Sequence, residues 1–297
     1  MKAQSDSTRR CAITGASGYV GGLLAHRLVG AGWDVVKLVR RPEAGDVAFR
    51  LGDPVAPEAL HGCTALVHCA YDFAPLGWDE TREINVEGTA RLFEASGQAG
   101  VRRIVLISTI SAFEGCRSFY GRAKLKTEHL GAAYDAFVIR PGLVYGDYAG
   151  GMFGRLAHQA KGADIIPLPG GGHQLQYLVH QEDLAAAVLA ALDKPSVPGS
   201  AVTVAHSQPS TLREIIGAIA CAHDRRPLVI PVPWRFLWLG LRTAELAGVR
   251  LGVRSDSLIS LIYQNPAPIM NATQELGIEC RPFAVPHGSR PRTSEKA

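Results

Sequence analysis

What this sequence lacks excludes several classes of protein at once. It has no apolar run long enough to cross a bilayer, which takes roughly 20 apolar residues. The most membrane-like stretch, Pro227–Leu241, carries two prolines beyond its first residue and also Arg235. That stretch is expected in the core or in the wall of a substrate pocket rather than against a membrane. There is no basic stripe: 31 Lys and Arg stand against 27 Asp and Glu, for a net charge of +4. The basic residues fall in scattered pairs, which argues against a nucleic-acid partner. None of the six cysteines forms a C-x-x-C, and no tight Cys/His cluster suggests a metal. Cys11 and Cys69 lie in apolar, strand-like runs and read as buried free thiols, which suit a reducing compartment. The opening residues Met1–Thr8 are polar, without the apolar core of a signal peptide. A cytoplasmic location is therefore expected. No internal repeat or low-complexity segment is present.

What is present is the composition of a folded chain: 297 residues, 47% hydrophobic and 20% charged. Short apolar runs alternate with amphipathic segments from Arg10 onward, as βαβ units do. Strands are predicted at Cys11–Thr14, Asp34–Val39, Val47–Leu51, Ala65–Cys69, Arg103–Ser108 and Phe137–Ile139. Helices are predicted at Tyr19–Ala31, Trp78–Ala99 and Ser118–Ala133. Strands rich in Val and Ile with little alternation fit a parallel sheet covered on both faces. The fold class is therefore α/β: a doubly wound parallel sheet, the Rossmann arrangement, with a smaller mixed C-terminal lobe.

After Pro141 the rhythm changes. Helices follow at Glu182–Leu192, Leu212–Ala222, Trp234–Ala247 and Asp256–Tyr263, with short strands at Ala201–Ala205 and Leu228–Ile230. Thr211-Leu212-Arg213-Glu214 has the pattern of a capping box. The organisation expected is a loose tail over 1–9 and a dinucleotide-binding domain over 10–150, to which elements return from 175–205. A mainly substrate-binding lobe over 151–285 and a loose tail over 286–297 complete it.

Two motifs carry chemistry. Thr14-Gly15-Ala16-Ser17-Gly18-Tyr19-Val20-Gly21 joins the first strand to the first helix. Glycines there permit a tight turn and a close backbone approach to a pyrophosphate, and the helix N-terminus offers free N–H groups to its charge. Tyr120-Gly121-Arg122-Ala123-Lys124 sets a phenol and an amine four residues apart, on one face of a helix. A phenol titrates near 10, too high for a good base at neutrality. A nearby ammonium favours the phenolate, and an oxidised nicotinamide would add to that effect.

In this order and context the motifs resemble those of the extended short-chain dehydrogenases, the NAD-dependent epimerase/dehydratase family, over roughly residues 10 to 280. The resemblance implies a cofactor loop at Gly15, Ser17, Gly18, Tyr19 and Val20. It implies adenine contact at Asp53, and a strand end at Cys69 and Ala70 running beneath the cofactor. It implies a structural role for Asn85 in Asn85-Val86-Glu87-Gly88-Thr89. Arg140-Pro141-Gly142-Leu143-Val144-Tyr145-Gly146 is similar to the family's loop over the nicotinamide, which places Pro141 and Val144 at the ring and leaves Tyr145 structural. His68, His180 and Asp183 read as scaffold. Tyr120 becomes the acid/base, and Lys124 also holds the nicotinamide ribose. A hydroxyl at the end of the fifth strand steadies the reacting oxygen. By register this is Thr109, with Ser111 and Ser108 as competitors because Ala112-Phe113-Glu114 departs from the family's pattern.

Here too, missing residues inform. The second strand ends without the acidic residue that binds the ribose 2′-hydroxyl of NAD. Arg40 and Arg41 stand there and suit a 2′-phosphate, so NADP is favoured over NAD. The acidic residues that dehydratases carry beside the threonine are replaced by Ile110 and Ser111, which disfavours dehydration. Gln174-Leu175-Gln176-Tyr177 stands where many nucleotide-sugar epimerases carry an arginine, which weakens a diphosphate-sugar assignment. Arg254-Ser255-Asp256-Ser257-Leu258 and the segment around Arg281-Pro282-Phe283 still resemble the C-terminal lobe of sugar epimerases. The expectation is an NAD(P)-dependent oxidoreductase or epimerase acting on a small molecule, a nucleotide sugar among the candidates. It is expected to be a homodimer through the helices bearing Asn85 and Tyr120. The alternative is a non-catalytic NAD(P)-binding redox sensor or assembly subunit.

Overall fold

The computed structural model describes residues 9–147, 150–249 and 251–286. Both expected tails lie outside these residues, apart from Arg9 and Pro286. The strands in chain order are β1 (Arg10–Thr14), β2 (Asp34–Val39), β3 (Val47–Ala48), β4 (Ala65–His68), β5 (Arg103–Ile107), β6 (Phe137–Pro141) and β7 (Leu143–Tyr145). They continue with β8 (Ile165–Pro169), β9 (Leu175–Gln176), β10 (Leu178–His180), β11 (Val202–Val204), β12 (Ser210–Thr211) and β13 (Leu228–Val232). The helices are α1 (Tyr19–Gly30), α2 (Trp78–Thr81), α3 (Gly88–Gln98), α4 (Phe119–Ala132) and α5 (Gly151–Gly162). After these come α6 (Gln181–Asp193), α7 (Leu212–Cys221), α8 (Trp234–Leu246), α9 (Ser255–Ile262) and α10 (Ala272–Leu276).

Seven parallel strands form the main sheet in the order β11-β6-β5-β4-β1-β2-β3. The order reverses between β1 and β4, the switch point at which such sheets open a crevice for a ligand. All four residues of β4 are buried, as are Cys11–Thr14 in β1. This absence of alternation arises because helices cover both faces. Leu24 and Leu28 of α1 pack with Val188 and Ala191 of α6 on one face. Leu92 and Phe93 of α3 cover the other. Ala272 of α10 and Cys280 join the first of these cores, so the chain returns from the lobe to the sheet.

The third strand is two residues long rather than five. After Phe49, whose N–H still donates to the Val39 carbonyl, the chain enters a turn in which the Asp53 N–H donates to the Arg50 carbonyl. Helix α5 was not foreseen. Its three glycines resemble a loop, yet Phe153, Ala157 and Ala160 recur at helical spacing and are buried. These side chains pack with Ile166, Leu178, Ile215 and Ile219 as the core of the C-terminal lobe. Pro227–Leu241 departs from expectation in the opposite sense. Helix α8 has no buried residue, and Phe236 and Leu239 are 70% and 54% exposed. It packs on α9. No described helix is long and apolar enough to cross a membrane.

Candidate active site

The glycine loop runs directly from β1 into α1. Gly15 sits at φ +69°, and a Cβ there would stand 3.0 Å from the backbone of Ala70. A Cβ on Gly21 would meet the Gly15 carbonyl oxygen at 2.2 Å, so the first helical turn is pressed onto the loop. The N-terminus of α1 begins at Gly18 with no side-chain cap and no acidic residue in its first turn. Its free N–H groups and positive dipole end therefore face the crevice unopposed. Ser17 and Gly18 are exposed, while Tyr19 and Val20 are half-buried. A dinucleotide's pyrophosphate fits this cradle, because the backbone there is bare, close-packed below and electropositive.

Beneath the loop lies a closed chain of buried polar groups. The Thr14 hydroxyl accepts from the backbone N–H groups of Cys69 and Ala70 and so donates to His68 Nδ1, at 2.7 Å. That fixes the imidazole tautomer: Nε2 carries the proton and donates to Thr89 Oγ1 at 3.0 Å, and Thr89 donates to the Asn85 carbonyl. Burial, and secondarily the charge of Lys124, push the His68 pKa down to about 3, so the ring is neutral scaffold. Asn85 lies on a π-helical segment, Arg82–Glu87, that joins α2 to α3. Its amide accepts from Asp72 N and donates to the carbonyls of Asp72 and Thr81, tying the segment after β4 to this helix. The structural roles expected of His68 and Asn85 are the ones their contacts describe.

Thr109, Tyr120 and Lys124 come together at the carboxyl end of β5. The Thr109 hydroxyl accepts from Ser111 N–H at 3.2 Å and lies near enough to the Tyr120 hydroxyl to oppose the rise in its pKa. Ser108 faces the other way. Its hydroxyl donates to Glu128, whose carboxylate is held by Arg140 through Nε at 2.9 Å, and Glu128 is buried. Ser111 borders a cleft beside Thr109. Lys124 is buried, and its ammonium donates to the Ile107 carbonyl at 2.8 Å. Burial lowers its pKa to about 8, against the opposing pull of Cys69 and Glu128.

One expectation is corrected by these contacts. Tyr120 is pushed up to about 12 by burial, with only the nearby Thr109 hydroxyl acting against this, and Lys124 does not lower it. The ammonium points to the strand carbonyl instead. In this state the phenol is firmly protonated.

The burial of Tyr120 comes from residues not foreseen in the sequence. Tyr71 meets its ring edge-on at 4.8 Å between centroids, and Phe73 lies at 5.5 Å. Both lie just past Cys69 and Ala70, where an alternating aromatic pair after a strand end was the available signal. Arg254 Nη2 donates to the Pro75 carbonyl at 2.9 Å and Nη1 to that of Phe73, while Arg242 Nη1 donates to that of Leu76 at 3.1 Å. Asp256 caps α4 from across the lobe boundary. Its two oxygens accept from Phe119 N at 2.7 Å and Tyr120 N at 3.0 Å. The helix that carries Tyr120 is thus held by both the sheet and the lobe.

The remaining predicted positions are distributed around the crevice. Arg40 and Arg41 follow β2 and are exposed, as is Asp53. Pro141 ends β6, and its carbonyl accepts from Ile110 N at 3.0 Å; Val144 lies in β7, paired with β10. Tyr145 donates to the Pro282 carbonyl at 3.0 Å. Asp183 is bound through both oxygens by Arg281, which fastens the returning chain to α6. His180 caps α6 through Nδ1. No group of three or more possible metal ligands occurs among the described residues, and all six cysteines are free.

The cleft beside Thr109 encloses about 260 Å³. It is bordered by Ile110, Ser111 and Leu143 on the sheet side and by Gln176, Leu261 and Ile262 on the lobe side. No residue of Pro227–Leu241 lines it.

Comparison with known proteins gives the family and the fold. The profile of the NAD dependent epimerase/dehydratase family matches residues 11–205. A ceramide reductase from Caulobacter vibrioides is 27% identical over 77% of this chain and 75% of its own length. A UDP-glucose 4-epimerase from Vibrio cholerae is 27% identical over 77% of this chain and 80% of its own. Among solved structures, MoeE5 in complex with UDP-glucuronic acid and NAD superposes with a TM-score of 0.72 at 22% identity. That alignment covers 92% of this chain and 94% of MoeE5, and shows a shared fold.

Proposed function

Because the chain belongs to the NAD-dependent epimerase/dehydratase family and is an enzyme of the extended short-chain dehydrogenase type, we propose that it exchanges hydride at a carbonyl or carbinol carbon of a small molecule. Tyr120 acts as its acid/base in this reading, Thr109 as the oxygen-steadying group and Lys124 as the ribose-binding cation. The observation that carries the reading is the convergence of Thr109, Tyr120 and Lys124 at the carboxyl edge of β5. The glycine loop, Cys69, Ala70, Pro141 and Val144 hold the dinucleotide, and Asp53 serves its adenine end. The nicotinamide, when bound, supplies or accepts the hydride.

Tyr120 is protonated in its buried setting, which suits it to donate to a carbonyl oxygen as the carbon is reduced. Thr109 holds that oxygen while charge develops on it. Lys124, protonated below about 8, offers its remaining N–H groups to ribose hydroxyls and anchors them to the Ile107 carbonyl. Ser108 is spent on Glu128, which favours Thr109 over it. The relatives act, by their names, on a ceramide and on UDP-glucose, so a nucleotide sugar stays within the range of substrates, and reduction and epimerisation share this machinery.

Tyr120→Phe tests the assignment. Turnover should fall by about 10²–10⁴, the usual contribution of a positioned acid/base, while nicotinamide-dinucleotide affinity measured by calorimetry stays within about twofold. Turnover like that of the wild type would reject it.

The family is NAD-dependent, and the choice between NAD and NADP is part of the proposal. Exposed Arg40 and Arg41 directly after β2 favour NADP. Arg40→Asp should weaken NADP binding at least tenfold and leave NAD binding little changed; equal NADP affinity in the variant would refute this preference. The same reading places the protein as a homodimer through the helices bearing Asn85 and Tyr120, which light scattering would read as twice the chain mass.

A further inference from the structure

Among the described residues, none of those bordering the cleft at Ile110 and Ser111 is Lys, Arg, His, Asp or Glu. A nucleoside diphosphate sugar carries two negative charges next to its sugar. Removing them from water without a cation is strongly unfavourable, and guanidinium groups are the usual partners. Several guanidinium groups of the surrounding lobe are already engaged. Arg254 is held by Glu245 and by the carbonyls of the Tyr71–Leu76 segment. Arg213 donates to the Gly171 carbonyl at 2.9 Å, and Arg242 to that of Leu76. Arg117 lies 4.1 Å from the ring centroid of Tyr263.

Where a cation could have entered the cleft, Gln176 stands. It is buried, fixed by the pairing of β9 with β12, and its Nε2 donates to the Leu175 carbonyl at 2.6 Å. The surfaces that remain are aliphatic: Ile110 and Leu143 on one wall, Leu261 and Ile262 on the other. Ser111 and Asn265 add neutral hydrogen-bonding groups. At about 260 Å³ the cleft is slightly smaller than the usual ligand pocket.

Taking the hydride-exchange reading as its premise, we infer that the substrate is an uncharged ketone or secondary alcohol bearing an aliphatic chain, rather than a phosphorylated sugar. The oxygen meets Thr109 and Tyr120, and the chain lies between Ile110 and Ile262. In the reductive direction the carbonyl carbon gains hydride from the reduced nicotinamide dinucleotide, and its oxygen gains the Tyr120 proton. The products are the alcohol and the oxidised dinucleotide, with solvent reprotonating the phenolate.

The test uses the full chain and a ladder of methyl alkyl ketones from hexanone to dodecanone, with UDP-glucose as the charged competitor. Calorimetry with oxidised dinucleotide present reads binding; dinucleotide absorbance reads turnover. Ketone affinity should rise about fourfold per methylene until the cleft is filled, which is the value of burying one CH₂. UDP-glucose should show no saturable binding at millimolar concentration. Ile262→Asp should weaken decanone at least tenfold with dinucleotide affinity unchanged. Affinity independent of chain length, or saturable UDP-glucose binding that displaces decanone, overturns the inference. Turnover of UDP-glucose that depends on Tyr120 would overturn the substrate class and keep the chemistry. Chain-length-dependent ketone binding, with any turnover indifferent to Tyr120→Phe, would keep the substrate class and reject the chemistry.

Discussion

Under the glycine loop, Thr14, His68, Thr89 and Asn85 use their donors and acceptors on one another and on nearby backbone, and all four are buried. In the C-terminal lobe, α8 buries no residue and presents Phe236, Leu239 and Leu246 to solvent. The first region is rigid because each polar group, once removed from water, would be costly to leave unpaired. Among its links to the sheet side are a few charged contacts: Asp256 on the N-terminus of α4, and Arg254 and Arg242 on the carbonyls after Phe73. The sheet side is thus internally paired, while α8 lies open to solvent at the edge of the lobe. If that division is right, a change of similar size should cost far more on the sheet side than on α8.

The largest effect is expected at Glu128. Its carboxylate is buried and accepts from both Ser108 and Arg140. Glu128→Ala would leave a largely buried guanidinium and a buried hydroxyl without their acceptor. Losing one partner of such a pair costs about 3–5 kcal/mol. Urea unfolding should show the midpoint fall at constant slope. A loss below about 1 kcal/mol would mean that the pair is effectively solvated, and the contrast between the regions would weaken.

His68 gives a pH-dependent form of the same contrast. Its pKa in the folded chain is about 3, against an ordinary 6.5. Between those values the unfolded chain binds a proton that the folded chain does not. Stability therefore falls as pH drops below 6.5 and stops falling from this cause near 3. The slope approaches about 1.4 kcal/mol per pH unit in the middle of the window. Comparing urea midpoints at pH 7 and pH 4.5 in wild type and in His68→Gln isolates the contribution. The variant should lose stability overall but show a shallower dependence on pH. An identical slope in the two proteins would show that other groups produce the acid sensitivity.

The parts legible in the sequence were those set by local pattern. The Val- and Ile-rich strands, the glycine loop and the Tyr120–Lys124 spacing each depend on neighbours within one turn or one strand, and each lies where the pattern put it. Register favoured Thr109 over Ser108 and Ser111, but the engagement of Ser108 was not legible, because Glu128 and Arg140 approach it from elsewhere in the chain. The stacking of Tyr71 and Phe73 on Tyr120, which raises its pKa, and the Asp256 cap are likewise contacts between distant segments. Pro227–Leu241 shows the converse error. Its apolar composition implied burial, but composition does not say whether a covering element exists.

The smallest effect is expected there. Phe236 on α8 is 70% exposed, so its replacement removes little packed surface. Phe236→Ser exchanges an exposed ring for a polar group at a helix position where both residue types have similar propensity. The change in unfolding free energy should stay within about 0.5 kcal/mol, as for other surface substitutions. Solubility should rise as an exposed apolar group is removed. The decisive measurement is the urea midpoint of the variant over a range of protein concentrations. A loss of 2 kcal/mol or more, of the size seen for buried aromatic truncations, would show that the ring is covered in solution. Were that loss to grow with protein concentration, the cover would be a second copy of the chain, and the lobe would be as firmly held as the sheet it borders.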